Sequence, residues 1–387
     1  MNSSTQEVKS LKDPAKCKLK QVDTVLIGKL AITAILLYFF LIGVTSLSGG
    51  LKMLGSGFAK TLFDLGEMPF IGLMAGMLAT VLFQSSSVTT SIIVGLVSAG
   101  TVSITGAIPM IMGANIGTSV TNTLVSLGYM NDTKSFKRAF AAATVHDFFN
   151  LISVAVLLPL ELTFGFIQKI SVGLTTLVYG NYSGVTYSSP IKAMIKPPVK
   201  ALKATLLDLF PNVAAFIMIA IAGVLIIASL TLIVKNMKTL ITSNQDSVIN
   251  KLLSKNPLIS IIFGALITIS VQSSSITTSL LVPMAGAGVL SLNSIFPVTL
   301  GANIGTTATA MLAAMTGNAA GLTIAFVHLI FNVIGTLMIF PNKKIRKIPL
   351  WCASKLSELV EKSKFYGLLY VALVFFIIPL TLVMLNK

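Results

Sequence analysis

The residues best equipped for chemistry form two polar blocks inside apolar sequence. Residues 84–91 read QSSSVTTS and residues 272–279 read QSSSITTS, seven polar residues in eight each time. Their flanks, 68–83 and 92–97 in the first copy and 259–269 before the second, are apolar. Each flank is about half a membrane thickness when helical. Serine, threonine and glutamine supply neutral donors and oxygen acceptors, and no G-x-S-x-G turn makes a nucleophile of any serine. No enzyme is therefore expected. A helix that starts at such a block aims free backbone N–H groups and a positive dipole end at an oxyanion. A helix that ends there leaves carbonyl oxygens which, with side-chain oxygens, suit a hard cation such as sodium. One break can thus serve both ions.

An isolated hydroxyl in a membrane helix commonly bonds back to the preceding turn or ties helices together. A duplicated block with half-length flanks is a different pattern, and it predicts a re-entrant hairpin whose tip lies at mid-depth. Non-helical backbone is tolerated there where it is buried in protein or lines a wet cavity.

A second unusual element is GANIGT, at 113–118 and again at 301–306, preceded by Pro109 and Pro297. Glycines and Asn weaken a helix, so an unwound segment is expected, with Asn115, Thr118, Asn303 and Thr306 as added ligands. Close packing by small residues is the competing reading. Asp147 is the acid inside a span, and an intramembrane carboxylate is a functional candidate whose charge bound sodium would offset. Asn150, one turn on, is expected to face the same side. His146 and His328 read as structural, because no other metal-ligand types stand near them.

These elements belong to a duplication. Residues 84–123 and 272–311 align without gaps at an offset of 188 (272 − 84), with 19 identities in 40 positions. HDFFN at 146–150 answers HLIFN at 328–332, and Leu329 stands where the first copy has Asp147. Spans near 104–127, 138–160 and 212–234 separate the blocks. Three is odd, so the second copy should be inverted relative to the first, a common plan of secondary transporters with the site at the repeat interface. The predicted fold class is an all-α polytopic membrane protein of two inverted-topology repeats, each with a re-entrant helical hairpin and a broken helix. Seven spans and two hairpins are expected, with 25–47 first and 368–385 last.

Composition agrees. Of 387 residues, 54% are hydrophobic and 10% charged, with a mean hydropathy of +0.90. A soluble domain carries about a quarter charged residues. The net charge of +16 reflects Lys and Arg in short loops rather than a nucleic-acid surface. With the N-terminus cytoplasmic, the basic segments 9–29, 134–138, 235–255 and 343–364 fall inside. Lys192, Lys196, Lys200 and Lys203 are the exception, in a proline-rich connector expected to be irregular and external. Segments 49–67 and 348–364 suit the membrane interface. Cys17 and Cys352 lie in basic segments and suggest neither a metal pair nor a disulfide framework. The expected organisation is an N-terminal segment and first span at 1–67, the first repeat at 68–160, and a connector at 161–211. The second repeat covers 212–340, and a basic segment with the final span covers 341–387.

The paired QSSS blocks, the paired GANIGT blocks and HDFFN together resemble the type II sodium–phosphate cotransporter family, over roughly 68–160 and 257–340. The resemblance implies sodium-driven uptake of inorganic phosphate, with sodium as co-transported substrate and no cofactor. It implies a phosphate site at Ser85, Ser86, Ser87, Ser273, Ser274 and Ser275, joined in the residue reading by Asn115 and Asn303. Sodium falls to Gln84, Thr89, Thr118, Asp147, Asn150, Gln272, Thr277 and Thr306. Family members with an acid after the His of HDFFN are electrogenic, and Asp147 matches that pattern. The cysteine-rich glycosylated loop of animal members is absent, although Asn181-Tyr182-Ser183 is a formal sequon. A bacterial inner-membrane member, with a homodimer among its allowed assemblies, fits best. A carrier of another oxyanion such as sulfate or arsenate, or an ion-selective channel built on the same hairpins, are the alternatives.

Overall fold

The computed structural model describes residues 14–54, 68–179, 190–241 and 256–385, and every regular element among them is helical. The first half comprises α1 (Pro14–Met53), α2 (Pro69–Phe83), α3 (Ser86–Ala99), α4 (Ile104–Gly117), α5 (Val120–Leu127) and α6 (Thr133–Phe164). The middle holds α7 (Phe166–Tyr179), α8 (Pro190–Leu209) and α9 (Ala214–Ile241). The second half comprises α10 (Pro257–Val271), α11 (Ser274–Gly286), α12 (Leu292–Ala314) and α13 (Ala319–Ile339). Then come α14 (Lys343–Lys362), α15 (Phe365–Ala372) and α16 (Ile378–Leu385), the last two joined by a π turn at Leu373–Ile377.

Five helical stretches are long and apolar enough to cross a membrane: Ile27–Met53, Thr133–Phe164, Leu292–Ala314, Ala319–Ile339 and Phe365–Leu385. Their outward faces stay apolar. Leu30 and Ile35 on α1, Phe164 on α6, and Leu368 and Leu385 at the C-terminal end are all exposed. Apolar surface on this scale is at home against lipid tails and would be a liability in water.

Local signals set the helix ends. Proline opens α2 and α10 at the first helical position, where the missing N–H costs no hydrogen bond. Ser103 and Ser291, one per copy, cap α4 and α12 through bonds from Gly106 N and Ser294 N. Asp132 caps α6, Asn318 caps α13 and Asn342 caps α14.

The GANIGT glycines serve close packing. A Cβ at Gly113 would sit 1.8 Å from the Leu73 carbonyl oxygen, and one at Gly301 would sit 1.9 Å from that of Ile261. Gly76 and Gly264 meet the Met110 and Val298 carbonyls at 2.0 and 2.2 Å in the same way. Backbone therefore lies on backbone where α2 crosses α4 and where α10 crosses α12, which only small residues permit.

The expected broken helix is corrected accordingly. In the second copy α12 runs unbroken through 301–306. In the first, α4 ends at Gly117, but Thr118 and Ser119 stay right-handed and tighten to i→i−3 bonds, so the 104–127 span is two short helices with no unwound stretch between them. The hydroxyls of Thr118 and Thr306 bond back to the Ala114 and Ala302 carbonyls, which satisfies the groups an unwound segment would have freed.

The connector is also more regular than its prolines suggested. α8 continues through Pro197 and Pro198, because Ile195, Val199 and Leu206 bury one stripe of it. α7 is capped from a distance: Glu161 accepts from Ile167 N at 2.7 Å and Gln168 N at 3.1 Å, across a bend at Gly165 with φ 59°. A buried carboxylate at a helix N-terminus is favourably placed. Residues 55–67 of the expected interfacial segment, the sequon at Asn181, the Cys17 side chain and most of the first and third basic segments lie outside the described residues.

The two halves interlock. α3 packs against α12 and α13, and α11 packs against α5 and α6. The polar blocks sit in this seam.

Candidate substrate and ion site

Each polar block is a helix–turn–helix with one identical break. α2 ends at Phe83, Gln84 adopts φ 53° and Ser85 is extended. α10 ends at Val271, Gln272 adopts φ 57° and Ser273 is extended. These two glutamines are the positive-φ residues other than glycine among the described residues. The left-handed region costs a non-glycine residue roughly 1–2 kcal/mol, so each turn must be held. Gln84 Nε2 donates to the Val81 carbonyl at 2.7 Å and its Oε1 accepts from Thr121 Oγ1 at 3.0 Å. Gln272 repeats this with Ile269 at 2.6 Å and Thr309 at 2.8 Å.

The six serines divide their tasks. Ser85 and Ser273 are caps, accepting from Val88 N and Ile276 N and opening α3 and α11. Ser87 joins the breaks: its Oγ donates to the Gln272 carbonyl oxygen at 3.0 Å, with Thr309 Oγ1 at 3.5 Å on the other side. Ser86, Ser274 and Ser275 are buried, at 4%, 2% and 5% exposure. Among the described residues no side-chain hydrogen bond engages any of these three hydroxyls. Three unclaimed donors thus stand at the N-terminal first turns of two helices whose tips touch.

The threonines of the blocks are tied locally. Thr89 Oγ1 donates to the Ser85 carbonyl at 3.2 Å and Thr277 Oγ1 to that of Ser273 at 3.3 Å, while Thr268 donates to Thr277. α5 braces the second break, since Asn122 Oδ1 accepts from both Thr278 and Ser279 at 2.9 Å.

His146, Asn150, Asn303 and the Asn115 carbonyl form one buried chain of bonds in the seam, which fits a structural role for His146. One His146 ring nitrogen contacts Asn303 Oδ1 and the other lies 3.0 Å from Ser119 Oγ. Asn303 Nδ2 donates to Asn150 Oδ1 at 2.9 Å, and Asn150 Nδ2 donates to the Asn115 carbonyl at 3.0 Å. Both GANIGT asparagines are thereby tied to α6. Asn115 Nδ2 itself bonds back to Ile111.

Asp147 turns the other way. Its Oδ2 accepts from Tyr370 Oη at 2.9 Å, and its fully buried Oδ1 has no partner among the described residues. Asn150 therefore shares bonds with His146, not with Asp147, as the i, i+4 relation allows. Sequence reading did not single out Ser119, Thr121, Asn122, Thr309 or Tyr370. The offset of 188 between Thr121 and Thr309 was the available signal for one pair; nothing local marked the others.

Comparison with known proteins decides the kinship. The family described as Na+/Pi-cotransporter matches residues 39–181 and 225–356. The chain belongs to this family. Sodium-dependent phosphate transport protein 2B of Homo sapiens is 32% identical over 451 residues, covering 92% of this chain and 65% of the human protein. Sodium-dependent phosphate transport protein 2A of Rattus norvegicus is 32% identical over 436 residues, covering 94% of this chain and 68% of its own. The 2A protein of Oryctolagus cuniculus is 33% identical over 427 residues, covering 91% and 66%. The chain thus spans about two thirds of the length of these relatives. No solved structure matches it. As a family member with long apolar helices, it is a multi-pass membrane protein.

Proposed function

We propose that this protein is a sodium-coupled symporter that imports inorganic phosphate by alternating access, moving net positive charge inward in each cycle. The observation that carries the reading is the contact of Ser87 with Gln272, beside which Ser86, Ser274 and Ser275 keep unclaimed hydroxyls. Two helix N-termini and three neutral donors form an oxyanion pocket. Neither 68–100 nor 256–287 contains Lys or Arg, so the site's charge arrives and leaves with its ions, and the empty carrier returns without a buried cation. The carbonyls and Gln oxygens of the same turns favour sodium, as does the free Oδ1 of Asp147, whose charge bound sodium offsets.

On this reading the two helix–turn–helix units are re-entrant hairpins of inverted repeats, and their tips meet from opposite sides near mid-membrane. The N-terminus and the basic segments 134–138 and 343–364 face the cytoplasm of a bacterial cell. A homodimer paired through outer helices is compatible with this arrangement. The relatives, named as sodium-dependent phosphate transport proteins, support the choice of ions.

Purified protein in liposomes should accumulate labelled phosphate only under an inward sodium gradient, with inward current recorded alongside. Uptake indifferent to sodium rejects the proposal. Competition by arsenate and sulfate measures selectivity within the anion class.

A further inference from the structure

The charge of the connector is unexplained by the transport geometry, since the topology above puts Lys192, Lys196, Lys200 and Lys203 on the side that usually excludes positive charge. α8 gives the last three a structural setting. It buries Ile195, Val199 and Leu206 along one stripe and exposes Lys196, Lys200 and Lys203 along another, at i, i+4 and i+7. Where α8 meets α1 the structure holds a cavity of about 250 Å³. Its polar wall includes Ser48 and Lys52 of α1, Ser98 of α3, Lys196 of α8, and Thr316 and Asn318 from the turn into α13.

We propose that this cavity binds a phosphate-bearing anion, either free inorganic phosphate or the phosphate of an anionic lipid headgroup. Lys52 and Lys196, exposed on separate helices, both line this space, and neither has a carboxylate partner among the described residues. Like charges facing a common cavity repel unless an anion lies between them. Asn318 caps α13 by accepting from Gly321 N, which brings the positive end of a 21-residue helix to the same wall. Ser98 is only 6% exposed, and its hydroxyl packs against Gly317 and Gly321 rather than opening on the cavity. The C-terminal carbonyls of α3 oppose an anion here, but Asn318 Nδ2 donates to the Ser98 carbonyl at 3.1 Å and blunts that effect. At roughly 30 Å³ per water, the cavity holds a tetrahedral oxyanion with several waters.

The cavity is separate from the serine tips. Ser86 and Ser98 lie at opposite ends of α3, about 18 Å apart at 1.5 Å per residue. Lys200 and Lys203 continue the positive stripe outward along α8, a charge pattern that raises the local concentration of anions.

The test uses the full chain in liposomes and compares wild type with the Lys52→Gln/Lys196→Gln double variant and the matching Lys→Arg pair. If free phosphate is the ligand, the double variant in phosphatidylcholine vesicles has a phosphate KM roughly threefold to tenfold higher at low ionic strength, with Vmax kept. The gap closes near 1 M salt, where the Debye length is about 3 Å, and the Arg pair restores wild-type behaviour. If a lipid headgroup is the ligand, phosphatidylglycerol raises the unfolding temperature of wild type and the Arg pair but not of the Gln pair, and KM is unmoved. Thermal shifts by phosphate and by phosphatidylglycerol in sodium-free buffer read the cavity without transport, so failure here is distinguishable from failure of the symport reading. Equal responses of wild type and the Gln pair to both ligands overturn the proposal.

Discussion

The backbone contact at Gly113 gives a sharp prediction for Gly113→Ala. The new Cβ lands 1.8 Å from the Leu73 carbonyl oxygen, whereas ordinary contact begins at 3.4 Å, so the two backbones must part by about 1.6 Å (3.4 − 1.8). The obstacle is main chain, not the end of a flexible side chain, and no rotamer change relieves it. Overpacking of a well-packed core costs typically 1–3 kcal/mol, and an immovable neighbour puts this site at the top of that range, about 3 kcal/mol. Gly223 in α9 is the control, since a Cβ there meets nothing within 4 Å. Alanine at an open helical position gains about 0.8–1 kcal/mol of helix propensity.

Thermal unfolding of the purified variants should therefore diverge. Gly113→Ala falls by about 5 °C or more, and Gly223→Ala holds or rises. Function should follow, because α2 carries the first break and α4 leads into the Thr121 that holds Gln84 at 3.0 Å. Pushing α2 from α4 loosens that turn and raises the phosphate KM. Gly301→Ala, facing Ile261 at 1.9 Å, should behave alike. A Gly113→Ala protein that melts with wild type refutes the contact and, with it, the reading of GANIGT as a packing element.

Ser274→Ala or Ser86→Ala removes an unclaimed donor to a charged ligand, worth about 1.5 kcal/mol or more, so phosphate KM should rise about tenfold; wild-type kinetics in both variants would count against the pocket. Asp147→Gly should bring the charge moved per phosphate close to zero while sparing some uptake, and an unchanged current per phosphate removes Asp147 from the sodium sites. His146→Ala strands Asn303 and Ser119 and should cost about 2–3 kcal/mol in unfolding assays. His328→Leu, which removes two buried ring nitrogens lacking partners among the described residues, should be neutral or stabilising.

How much of this was legible follows from the range of the forces involved. The breaks at Gln84 and Gln272 could be placed because polar runs inside apolar flanks are a local signal. The all-helical fold followed from apolar runs alone. GANIGT misled because glycine weakens a helix in isolation but also admits a second backbone, and sequence does not say which effect wins; contact at 1.8 Å shows that packing does. α8 was missed because two prolines outweigh a buried stripe until the partner surface on α1 is known. The bonds of the HDFFN segment were out of reach, since Asn303 lies 157 residues from His146 and Tyr370 lies 223 from Asp147. No window of sequence contains such pairs.

Where the duplication holds and where it lapses is itself an argument about the mechanism. The glutamine in the left-handed turn, its threonine latch, the capping serine and the glycine contact recur in both copies at one offset. These features place the tips, and a pocket shared between two tips needs both placed alike. The HDFFN and HLIFN segments share burial but not bonding. His146 is engaged at both ring nitrogens and Asn150 at both ends, while His328 and Asn332 Oδ1 lack partners among the described residues. A second carboxylate at position 329 would add another buried charge to be neutralised in every cycle, at a cost that rises steeply in lipid. With leucine there, one copy carries the acid and the other does not. Under the proposed symport, the shared scaffold then selects the anion, and the one carboxylate that the copies do not share sets how much cation charge must accompany it.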